Sequence, residues 1–340
     1  MIGHRIQKDG SAAVTEAKPL LTVDAREASR LLPMKPLIDG LRQFLIEGCE
    51  VPPRHHHTIA VPGEPVATLL LMPSWTEKSA HGGYLGVKLV TVFPGNAARG
   101  APALTSVYLL FDSGTGAQLA TIDGNAITHR RTVATSALAA SYLAREDAEV
   151  LLILGSGRIA RLLPEAYAAV RNIRRIGVWN VHPESAARMV KDLVDAGFDA
   201  AVVSDLEHGV KSADIVTSAT LATSPFIKGE WLRPGVHVDL IGAFTPAMRE
   251  TDDEAVRRSR VFVDTHEALH EAGDLVHPIR NGAFSPDDVK GTLLGLCTRE
   301  IPGRNSPKEI TLFKAVGSAL ADLAAASMVY KACITEAALR

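Results

Sequence analysis

The sequence predicts an α/β protein with a doubly wound parallel sheet in its central part, and two observations lead to this prediction. Six short, mostly apolar strands alternate with helical patterns; they span 149–154, 175–180, 199–203, 214–219, 236–241 and 261–264. Strands of this kind, separated by helices, are typical of a parallel sheet that is covered on both faces. In addition, a glycine-rich turn directly follows the first strand, at the edge of the sheet where such folds bind ligands.

Two helical patterns support the doubly wound arrangement. They span 158–170 and 183–196 and connect the first three strands. Gly197 follows the second pattern and is predicted to end that helix, because glycine readily adopts the left-handed conformation found at helix C-termini. Pro164 lies inside the first pattern, and we expect it to kink the helix locally, since proline has no backbone N–H.

The first 130 residues predict a different, more antiparallel sheet. Three strand patterns follow one another without long helices between them, at 66–73, 84–93 and 106–112. The alanine-rich stretch 132–144 predicts a helix that bridges the two regions, with Arg131 just before it. A second small-residue helix is predicted over 312–332, and we expect it to pack closely on another element, with the first domain as the candidate.

Length, charge and cysteine content limit the classes of function. The 340 residues are enough for about two domains, and a formal net charge of -2 gives no reason to expect nucleic acid as a partner. The longest apolar runs are too short to span a membrane, and the N-terminus lacks the apolar core of a signal peptide. Three widely separated cysteines form neither a disulfide framework nor a zinc pattern. These features predict a reduced, cytoplasmic protein.

The stretch L-I-L-G-S-G-R-I-A contains the strongest local motif. Gly155, Gly157 and Ala160 match the G-x-G-x-x-G/A fingerprint of dinucleotide-binding folds, and they lie between a predicted strand and a predicted helix. Gly155 permits the tight turn, Gly157 lets the backbone approach a pyrophosphate, and Ala160 lets the helix pack closely on the strand. A glycine turn without a nucleotide is the alternative. The context of the motif favours a Rossmann-type domain that binds NAD(P).

The end of the second strand predicts which dinucleotide is bound. Sites for NAD usually have Asp or Glu there, because a carboxylate binds the ribose 2′-hydroxyl and repels a 2′-phosphate. This sequence has Asn180, with His182 beyond it. The missing acid favours NADPH, with NADH as the second choice, and Arg188 and Arg175 are candidates to reach the phosphate. Alternatively, Asn180 only caps the next helix.

Three cations precede the predicted nucleotide-binding domain, namely Arg54, Lys88 and Arg131. By composition alone each is an ordinary solvated cation, because Lys and Arg are mostly exposed. Lys88 lies between valine and leucine in a predicted strand, so its side chain should point away from these neighbours. The histidine run at 55–57 suggests a metal site, but adjacent residues in an extended segment point to opposite faces and cannot converge on one ion. No metal site is predicted.

Several motifs in a fixed order together resemble the ornithine cyclodeaminase/mu-crystallin family, from about residue 50 to the C-terminus. They are G-G-Y-L-G-V-K-L-V-T-V-F-P-G-N, the R-T of I-T-H-R-R-T, G-S-G-R-I-A, A-D-I-V-T-S-A-T and E-I-T-L-F-K-A-V-G. The resemblance implies a homodimer of two-domain chains. It implies a smaller α+β substrate-binding and dimerisation domain over 1–131, completed by the C-terminal helix 316–340, and a Rossmann NAD(P)-binding domain over 132–315.

The resemblance also implies roles for individual residues. Arg54, Lys88 and Arg131 match the residues that hold the substrate carboxylate, and Lys88 is in addition the candidate catalytic residue. A guanidinium can bind a carboxylate through two hydrogen bonds. Met72 and Phe244 complete the implied substrate-binding set. The implied cofactor-binding set is Thr132, Gly155, Ser156, Gly157, Arg158, Ile159, Asn180, His182, Ala219 and Thr220.

Two departures from the family pattern bear on the reaction. Ile159 replaces a frequent glutamine in the cofactor turn, which is a minor change. Phe244 occupies the position of an aspartate in the loop G-x-D-x-P-G-K of cyclodeaminases, where that aspartate manages protons at the substrate amine. A phenyl ring cannot do so. The loop form G-A-F-T-P-x-M-R-E is instead similar to the branch that reduces cyclic imines, the Δ1-pyrroline-2-carboxylate reductases of proline and hydroxyproline catabolism.

The reaction that the resemblance implies is NAD(P)H-dependent reduction of Δ1-pyrroline-2-carboxylate to L-proline, and of Δ1-piperideine-2-carboxylate to L-pipecolate. A cyclic ketimine acid can arrive protonated at nitrogen, so its reduction needs no carboxylate base. Phe244 is then expected to form an apolar wall beside the ring, and buried packing is its alternative role. Two other functions stay open. One is another amino-acid dehydrogenase of the family, an alanine dehydrogenase or an ornithine cyclodeaminase, and the other is a non-catalytic NADPH-dependent binding protein of the mu-crystallin type.

Overall fold

Two β-sheets organise the chain in a computed structural model that describes residues 20–77 and 83–339. Outside the described residues lie 1–19, 78–82 and Arg340. The start of the predicted first domain and the segment without signal-peptide character fall in the first of these stretches. The first sheet has six strands and the second has eight. None of the described helices is long and apolar enough to cross a membrane.

The first sheet is built from the N-terminal part of the chain. Its elements and the helices around it are β1 (Leu21–Val23), α1 (Ala25–Arg30), α2 (Met34–Glu47), β2 (His55–Ile59), β3 (Ala67–Trp75), β4 (Tyr84–Val92), β5 (Leu104–Asp112), β6 (Gln118–Asp123) and α3 (Gly124–Leu143). The strand order is β1-β6-β5-β4-β3-β2, with β1 parallel to β6 and every other pair antiparallel. The predicted antiparallel sheet is confirmed, and its three strand patterns are β3, β4 and β5.

The other three strands of this sheet have no clear signal in the sequence. β1 has only 3 residues, which is too short for a periodic pattern. β2 is an edge strand made mostly of exposed histidines, so it lacks the alternation of apolar and polar residues on which strand prediction depends. These strands are fixed by pairing with neighbours and not by their own composition.

The two faces of the first sheet are covered differently. In β4, Gly86, Lys88 and Val90 are buried and alternate with partly exposed residues, as strand geometry requires. Helices α3 and α11 (Ala319–Ala338) cover this buried face. By alternation and register, strands β3, β4 and β5 carry ten partly exposed apolar side chains on the opposite face, which we call the outer apolar face: Leu69, Leu71, Pro73, Trp75, Leu85, Val87, Leu89, Val107, Leu109 and Phe111.

The second sheet and its helices follow in the chain. They are β7 (Val150–Leu154), α4 (Leu163–Ala168), β8 (Arg175–Trp179), α5 (Pro183–Asp195), β9 (Ala200–Val202), α6 (Leu206–Ser212), β10 (Ile215–Ser218), β11 (His237–Leu240), α7 (Asp253–Arg257), β12 (Arg260–Val263), α8 (Ala268–Glu271), α9 (Gly273–Arg280), β13 (Gly291–Thr292), α10 (Leu293–Thr298) and β14 (Thr311–Lys314). All strands are parallel, in the order β13-β12-β14-β11-β10-β7-β8-β9. The doubly wound α/β prediction is confirmed, and the six predicted strands are β7 to β12.

Strand β14 corrects the predicted start of the C-terminal helix. The sequence predicts a helix over 312–332, but Thr311–Lys314 forms a strand between β11 and β12, and α11 begins only at Ala319. All four residues of β14 are buried. A short run that is buried on all sides has no periodicity that distinguishes a strand from a helix, so its tertiary neighbours decide. β13 has 2 residues and is likewise not predicted.

Helix α3 begins earlier than predicted. Asp123 caps it by accepting a hydrogen bond from the backbone N–H of Ala126 at 2.7 Å, so Arg131 lies inside the helix and not before it. The polar residues T-H-R-R-T obscure the helical pattern, although most of the helix is buried. Because α3 packs on β5 of the first sheet and on β14 of the second, it crosses the predicted domain boundary after residue 131.

Two local predictions are confirmed in the second sheet. The first crossover helix is interrupted near Pro164, where a 3-10 turn over Ala160–Leu162 gives way to α4 with proline in its first turn. Proline fits there because its missing N–H has no partner in a first turn. Gly197 has φ +90 just after the end of α5, which is the left-handed conformation expected beyond a C-terminus.

Candidate active site

Three buried charged side chains from three different elements form the centre of the candidate site. Lys88 Nζ on β4 lies 2.6 Å from Oδ2 of Asp322 on α11, and Nε of Arg131 on α3 donates a hydrogen bond of 2.8 Å to Oδ1. The exposed fractions are 3% for Lys88, 6% for Arg131 and 0% for Asp322. From composition alone, Lys88 and Arg131 are expected to be solvated surface cations, and this expectation is wrong for both residues. This charge cluster, Lys88–Asp322–Arg131, contains two cations and one anion.

The charges of the cluster stabilise one another against burial. Burial lowers the pKa of Lys88 to about 8, an effect that Asp322 opposes and Arg131 increases. Burial acts to raise the pKa of Asp322, but Arg131 and Lys88 outweigh it and hold that pKa below its ordinary value. Asp322 is therefore ionised, and Lys88 is poised to give up or take a proton near neutral pH.

Gly317 links Arg54 to the charge cluster. Nη2 of Arg54 donates a hydrogen bond of 3.0 Å to the carbonyl of Gly317, and its Nη1 lies 3.5 Å from Oε2 of Glu271. A Cβ built on Gly317 would lie 2.7 Å from Nη1 of Arg131, and its φ of +83 favours glycine. Through Asp322 and Gly317 the structure thus brings together Arg54, Lys88 and Arg131.

A cavity of about 900 Å³ opens between the two sheets and is lined by Gly317, Arg54 and Met72. Met72 is the direct cross-strand neighbour of Lys88, so both side chains lie on the same face of the first sheet. Gly317 separates Arg131 from the cavity. On the side of the second sheet the cavity has an acidic wall, formed by Asp264, Glu267 and Glu271. The volume is in the range of small-molecule sites.

The loop that contains Gly317 is held by Asp264, which directly follows β12. Its Oδ2 accepts hydrogen bonds from the backbone N–H groups of Val316 at 3.0 Å and Gly317 at 2.6 Å, and its Oδ1 accepts one from Thr265 at 2.8 Å. Burial raises the pKa of Asp264. The wall between Arg131 and the cavity is therefore fixed to the end of a strand.

The glycine turn after β7 has the shape that a dinucleotide phosphate requires. Gly155 has φ +107, and a Cβ there would lie 2.9 Å from the carbonyl oxygen of Ala219. No described atom lies within 4 Å of the place where a Cβ of Gly157 would be, so the backbone of the turn is open to a ligand. These residues fit a bound pyrophosphate.

Asn180 joins the glycine turn to the end of β8. Its Nδ2 donates a hydrogen bond of 2.8 Å to Ser156 Oγ, and its Oδ1 accepts one of 2.9 Å from the N–H of His182. His182 is itself the N-cap of α5, so the interpretation of Asn180 as a simple cap is wrong. Arg175 begins β8, roughly 13 Å from the strand's other end, and cannot reach a phosphate there. Arg188 is exposed on α5.

Ala219 and Thr220 lie in a loop that the buried Glu250 holds. Oε1 of Glu250 accepts hydrogen bonds from Ser218 Oγ at 2.5 Å, from Thr220 N at 2.8 Å and from Thr220 Oγ1 at 2.6 Å. Burial raises the pKa of Glu250 to about 7. The carbonyl of Ala219 borders Gly155, so this loop and the glycine turn form adjacent walls.

The remaining predicted cofactor residues surround the glycine turn. Thr132 lies on α3, which packs on the 3-10 turn that comes after the glycine turn. Arg158 and His182 are exposed, and Ile159 packs partly buried against the core. Burial and the nearby charge of Arg158 lower the pKa of His129, so Arg158 lies beside α3.

Phe244 lies on the loop after β11 and is 47% exposed. The interpretation of Phe244 as buried packing is therefore wrong. The preceding Ala243 has φ +50, which is uncommon for a residue other than glycine. Its carbonyl accepts a hydrogen bond of 3.2 Å from the N–H of Gly273 at the start of α9. The backbone of this loop is held, and the phenyl ring projects from it without lining the cavity.

Comparison with known proteins shows what the chain is similar to. The model of the ornithine cyclodeaminase/mu-crystallin family matches residues 22–336. The chain belongs to this family. It is 43% identical to the Δ1-pyrroline-2-carboxylate reductase of Paracoccus denitrificans over 269 residues, which cover 78% of this chain and 84% of that protein.

Two solved structures of high similarity cover nearly the whole chain. The Δ1-pyrroline-2-carboxylate reductase of Thermococcus litoralis, in complex with NADH and L-proline, has a TM-score of 0.86 and 32% identity, and the match covers 94% of this chain and 98% of that chain. An archaeal alanine dehydrogenase dimer with bound NAD has a TM-score of 0.85 and 27% identity, covering 94% and 97% of the two chains. The fold of the ornithine cyclodeaminase/mu-crystallin family therefore does not by itself distinguish these reactions.

Asp322 is a buried residue of the charge cluster that the sequence does not identify as part of the site. A signal does exist, because Asp322 is the only charged residue between 315 and 330 in an otherwise small and apolar stretch. A carboxylate buried in such a helix needs a partner. The pattern predicts that a cation lies opposite it, but it does not identify Lys88 and Arg131.

The sequence also does not identify a second buried pair, Lys314 and Asp274, which supports the loop that contains Phe244. Nζ of Lys314 donates to the carbonyl of Gly242 and lies 3.4 Å from Oδ2 of Asp274. Oδ1 of Asp274 accepts hydrogen bonds of 2.8 Å from the N–H groups of Glu250 and Thr251. These contacts fix both ends of the loop from 242 to 250, which explains how an exposed side chain is presented from an ordered backbone.

Proposed function

We propose that this family member reduces cyclic ketimine acids with NAD(P)H, converting Δ1-pyrroline-2-carboxylate to L-proline and Δ1-piperideine-2-carboxylate to L-pipecolate. The single observation that carries the proposal is the charge cluster, whose two cations and one anion leave one net positive charge almost out of water. A substrate carboxylate supplies the missing negative charge. In a site of low dielectric this charge pairing is much stronger than in water.

The chain's own residues have distinct tasks in this reaction. Arg131 and Arg54 orient the carboxylate, because their guanidinium groups meet at Gly317 beside the cavity. Lys88 lies next to Arg131 and faces the nitrogen of a ring held in this way. The glycine turn around Gly157 holds the pyrophosphate of the dinucleotide. When bound, the reduced nicotinamide supplies the hydride that the imine carbon accepts.

Phe244 distinguishes this reaction from cyclodeamination. Ammonia release and ring closure need an acid-base group at the substrate amine, and Phe244, which matches the cyclodeaminase aspartate in sequence, offers a half-exposed phenyl ring and no such group. Reduction of a preformed cyclic imine has no such need. An apolar side chain beside the ring instead excludes water from the reacting atoms.

Two alternative functions have less support. An alanine dehydrogenase would use the same carboxylate contacts with an open-chain 2-oxo acid and ammonia, and the shared fold does not exclude it. A non-catalytic binding protein has no need of the charge cluster, because apolar side chains of similar volume are often at least as stabilising as buried ions. A substrate panel distinguishes the alanine dehydrogenase from the imine reductase. Turnover of any substrate in that panel excludes the non-catalytic binding protein.

The preference for NADPH over NADH is part of this proposal. It is supported by the neutral Asn180 at the end of β8, whose amide is already engaged by Ser156 and His182. No carboxylate there repels a 2′-phosphate. We also infer a cytoplasmic setting, which the three free cysteines fit.

A homodimer through the first sheet completes the proposal. The outer apolar face is unusual, because the open face of an antiparallel sheet is normally polar. Leu71, Leu89 and Val107 form a continuous row across three strands of this face. A contiguous apolar surface of this kind marks an interface, and a two-fold axis would pair it with itself.

The proposed reaction is tested by a substrate panel. Purified protein is mixed with each ring imine, with pyruvate plus ammonia, or with L-ornithine, and the absorbance of reduced or oxidised nicotinamide is followed with both cofactors. We expect both imines to be reduced, with NADPH more efficient than NADH. Equal or better turnover with NADH would contradict the cofactor preference, and turnover of pyruvate plus ammonia without either imine would contradict the substrate class.

Arg131→Ala should reduce kcat/KM for the imine by roughly 3 kcal/mol, about a hundredfold, because the carboxylate loses its anchor in a buried site. The matched control is Arg130→Gln. Arg130 is equally buried on α3 but binds Glu165 and the carbonyl of Leu32, so its loss should lower the melting temperature and leave KM unchanged. Wild-type kinetics in a folded Arg131→Ala variant would remove Arg131 from the site.

Phe244→Asp should leave the fold intact and slow imine reduction. Because Phe244 is 47% exposed, a carboxylate there stays hydrated, and the melting temperature should change by no more than about 2 °C. Val194→Asp on α5, where valine is 52% exposed, controls for added charge and should change neither property. Both are measured by thermal unfolding and by the imine-reductase rate. A large loss of stability, or an unchanged rate in Phe244→Asp, would contradict the role as an apolar wall.

Leu89→Arg should convert the protein to a monomer, since it places a charge at the centre of the outer apolar face. The mass in solution is measured by light scattering after size exclusion. Leu104→Arg is the control, because Leu104 is exposed at the end of β5 and lies off this face. A dimer that survives Leu89→Arg at micromolar concentration would place the interface elsewhere.

A further inference from the structure

Asp322 holds a different cation with each carboxylate oxygen. Oδ2 lies 2.6 Å from Lys88 Nζ, and Oδ1 accepts the hydrogen bond from Arg131 Nε at 2.8 Å. Among the described residues the Nη atoms of Arg131 have no hydrogen-bond partner, and they face Gly317, which lines the cavity. The carboxylate thus fixes the Nε side of the guanidinium, and the Nη side lies directly behind Gly317 at the edge of the cavity.

Attachment of α11 to the first sheet does not require this ion pair. The helix buries many apolar side chains against its neighbours, and Ser74 Oγ donates a hydrogen bond of 3.1 Å to the carbonyl of Ala319. Replacing buried ion clusters by apolar groups is often neutral or stabilising. A fully buried aspartate with two cations therefore calls for an explanation beyond stability.

We propose that Asp322 is a positioning residue for proton transfer, which holds the Lys88 ammonium beside the ring nitrogen of the substrate while it turns the Nη side of Arg131 toward the carboxylate. This inference rests on the proposed reduction of cyclic imines. It assigns the proton source to Lys88, so the substrate does not have to arrive protonated.

The step balances in atoms and charge. The imine carbon accepts the hydride that the bound nicotinamide supplies, and the electron pair of the C=N π bond moves onto nitrogen. Lys88 Nζ–H breaks as the new ring N–H bond forms, which leaves Lys88 neutral. A proton from water then restores the ammonium. The net reaction consumes one reduced dinucleotide and one proton for each secondary amine formed.

Groups from every element around Lys88 act on its proton. Asp322 on α11 raises its pKa, whereas burial first, and then Arg131 on α3 and Arg54 before β2, lower it, so that it lies at about 8. Tyr108 on β5 is its cross-strand neighbour, and burial raises the tyrosine pKa well above its ordinary value. Thr128 Oγ1 lies 3.4 Å from Nζ and carries no charge. Asp322 is the only anion in this set.

The test compares Asp322→Asn with Ser327→Ala, a buried polar change on the same helix whose hydroxyl bonds only the carbonyl of Ala324 among the described residues. If Lys88 donates the proton, the wild-type kcat should fall as the pH rises through about 8, because the donor becomes neutral. Loss of the anion lowers the pKa of Lys88 further. In Asp322→Asn the falling limb of the pH profile should therefore move at least about one pH unit lower, so that kcat decreases at least about fivefold at pH 8 and approaches a tenfold decrease at about pH 9.

A purely structural role predicts something different. It would lower kcat by the same factor at every pH, so the falling limb of the pH profile would stay at the same pH. A falling limb that arises from titration of the substrate imine would also stay at the same pH. Either result in folded Asp322→Asn overturns the inference while imine reduction by the wild type stands. Ser327→Ala should keep the wild-type pH profile. A wild type that reduces no ring imine would instead contradict the proposed function.

A second variant and a measurement without cofactor keep the inference testable if Asp322→Asn does not fold. Lys88→Arg retains a cation for Asp322 but removes a group that titrates near neutral pH, so the falling limb should disappear and kcat should fall. Titration of lysine carbons by NMR, with the Lys88 signal assigned by its loss in Lys88→Arg, should give a pKa below that of ordinary lysines. A Lys88 signal that titrates with the surface lysines, or a retained limb in Lys88→Arg, overturns the inference.

Discussion

The candidate site depends on one constraint, which is that two cations are held almost completely out of water. Desolvating a lysine and an arginine costs several kcal/mol for each ion unless a counter-ion lies in contact. Asp322 is that counter-ion, and it comes from the last helix of the chain. The return of α11 to the first sheet is therefore part of the chemistry of the site as well as of its packing. Because cations outnumber anions in the cluster, the site keeps a net positive charge that favours binding of a carboxylate.

Buried acids also hold the loops that border the site. Asp264 accepts hydrogen bonds from backbone N–H groups of the loop that contains Gly317. Asp274 accepts hydrogen bonds from the N–H groups of Glu250 and Thr251. Glu250 itself accepts three hydrogen bonds at the end of β10. Each of these loops lies at a carboxyl end of the parallel strands, where such sheets bind ligands. Since the backbone there is fixed internally, the chemistry can vary through the side chains that project from it.

Phe244 illustrates that variation. The loop around it is anchored by Lys314, Asp274 and the N-terminus of α9, and none of these contacts involves the phenyl ring. An aspartate in cyclodeaminases and a phenylalanine here can therefore occupy the same backbone position, with different consequences for proton transfer. Because this loop carries no acid, a proton donor has to come from another element, and the buried Lys88 on β4 is the candidate.

The sequence by itself determined the fold class, the glycine turn and the missing acid at Asn180. These features are local, since they depend on short periodic patterns and on residues at fixed offsets from them. The missing aspartate at position 244 is different, because it is implied by the resemblance to the family. Only the tertiary structure decided that Lys88 and Arg131 are buried and that Phe244 is exposed. It also decided that residues 311–314 form a strand. Arg131 meets Asp322 across 191 residues of chain, and no local pattern encodes such a pairing, because burial and electrostatic partnership depend on which elements pack together.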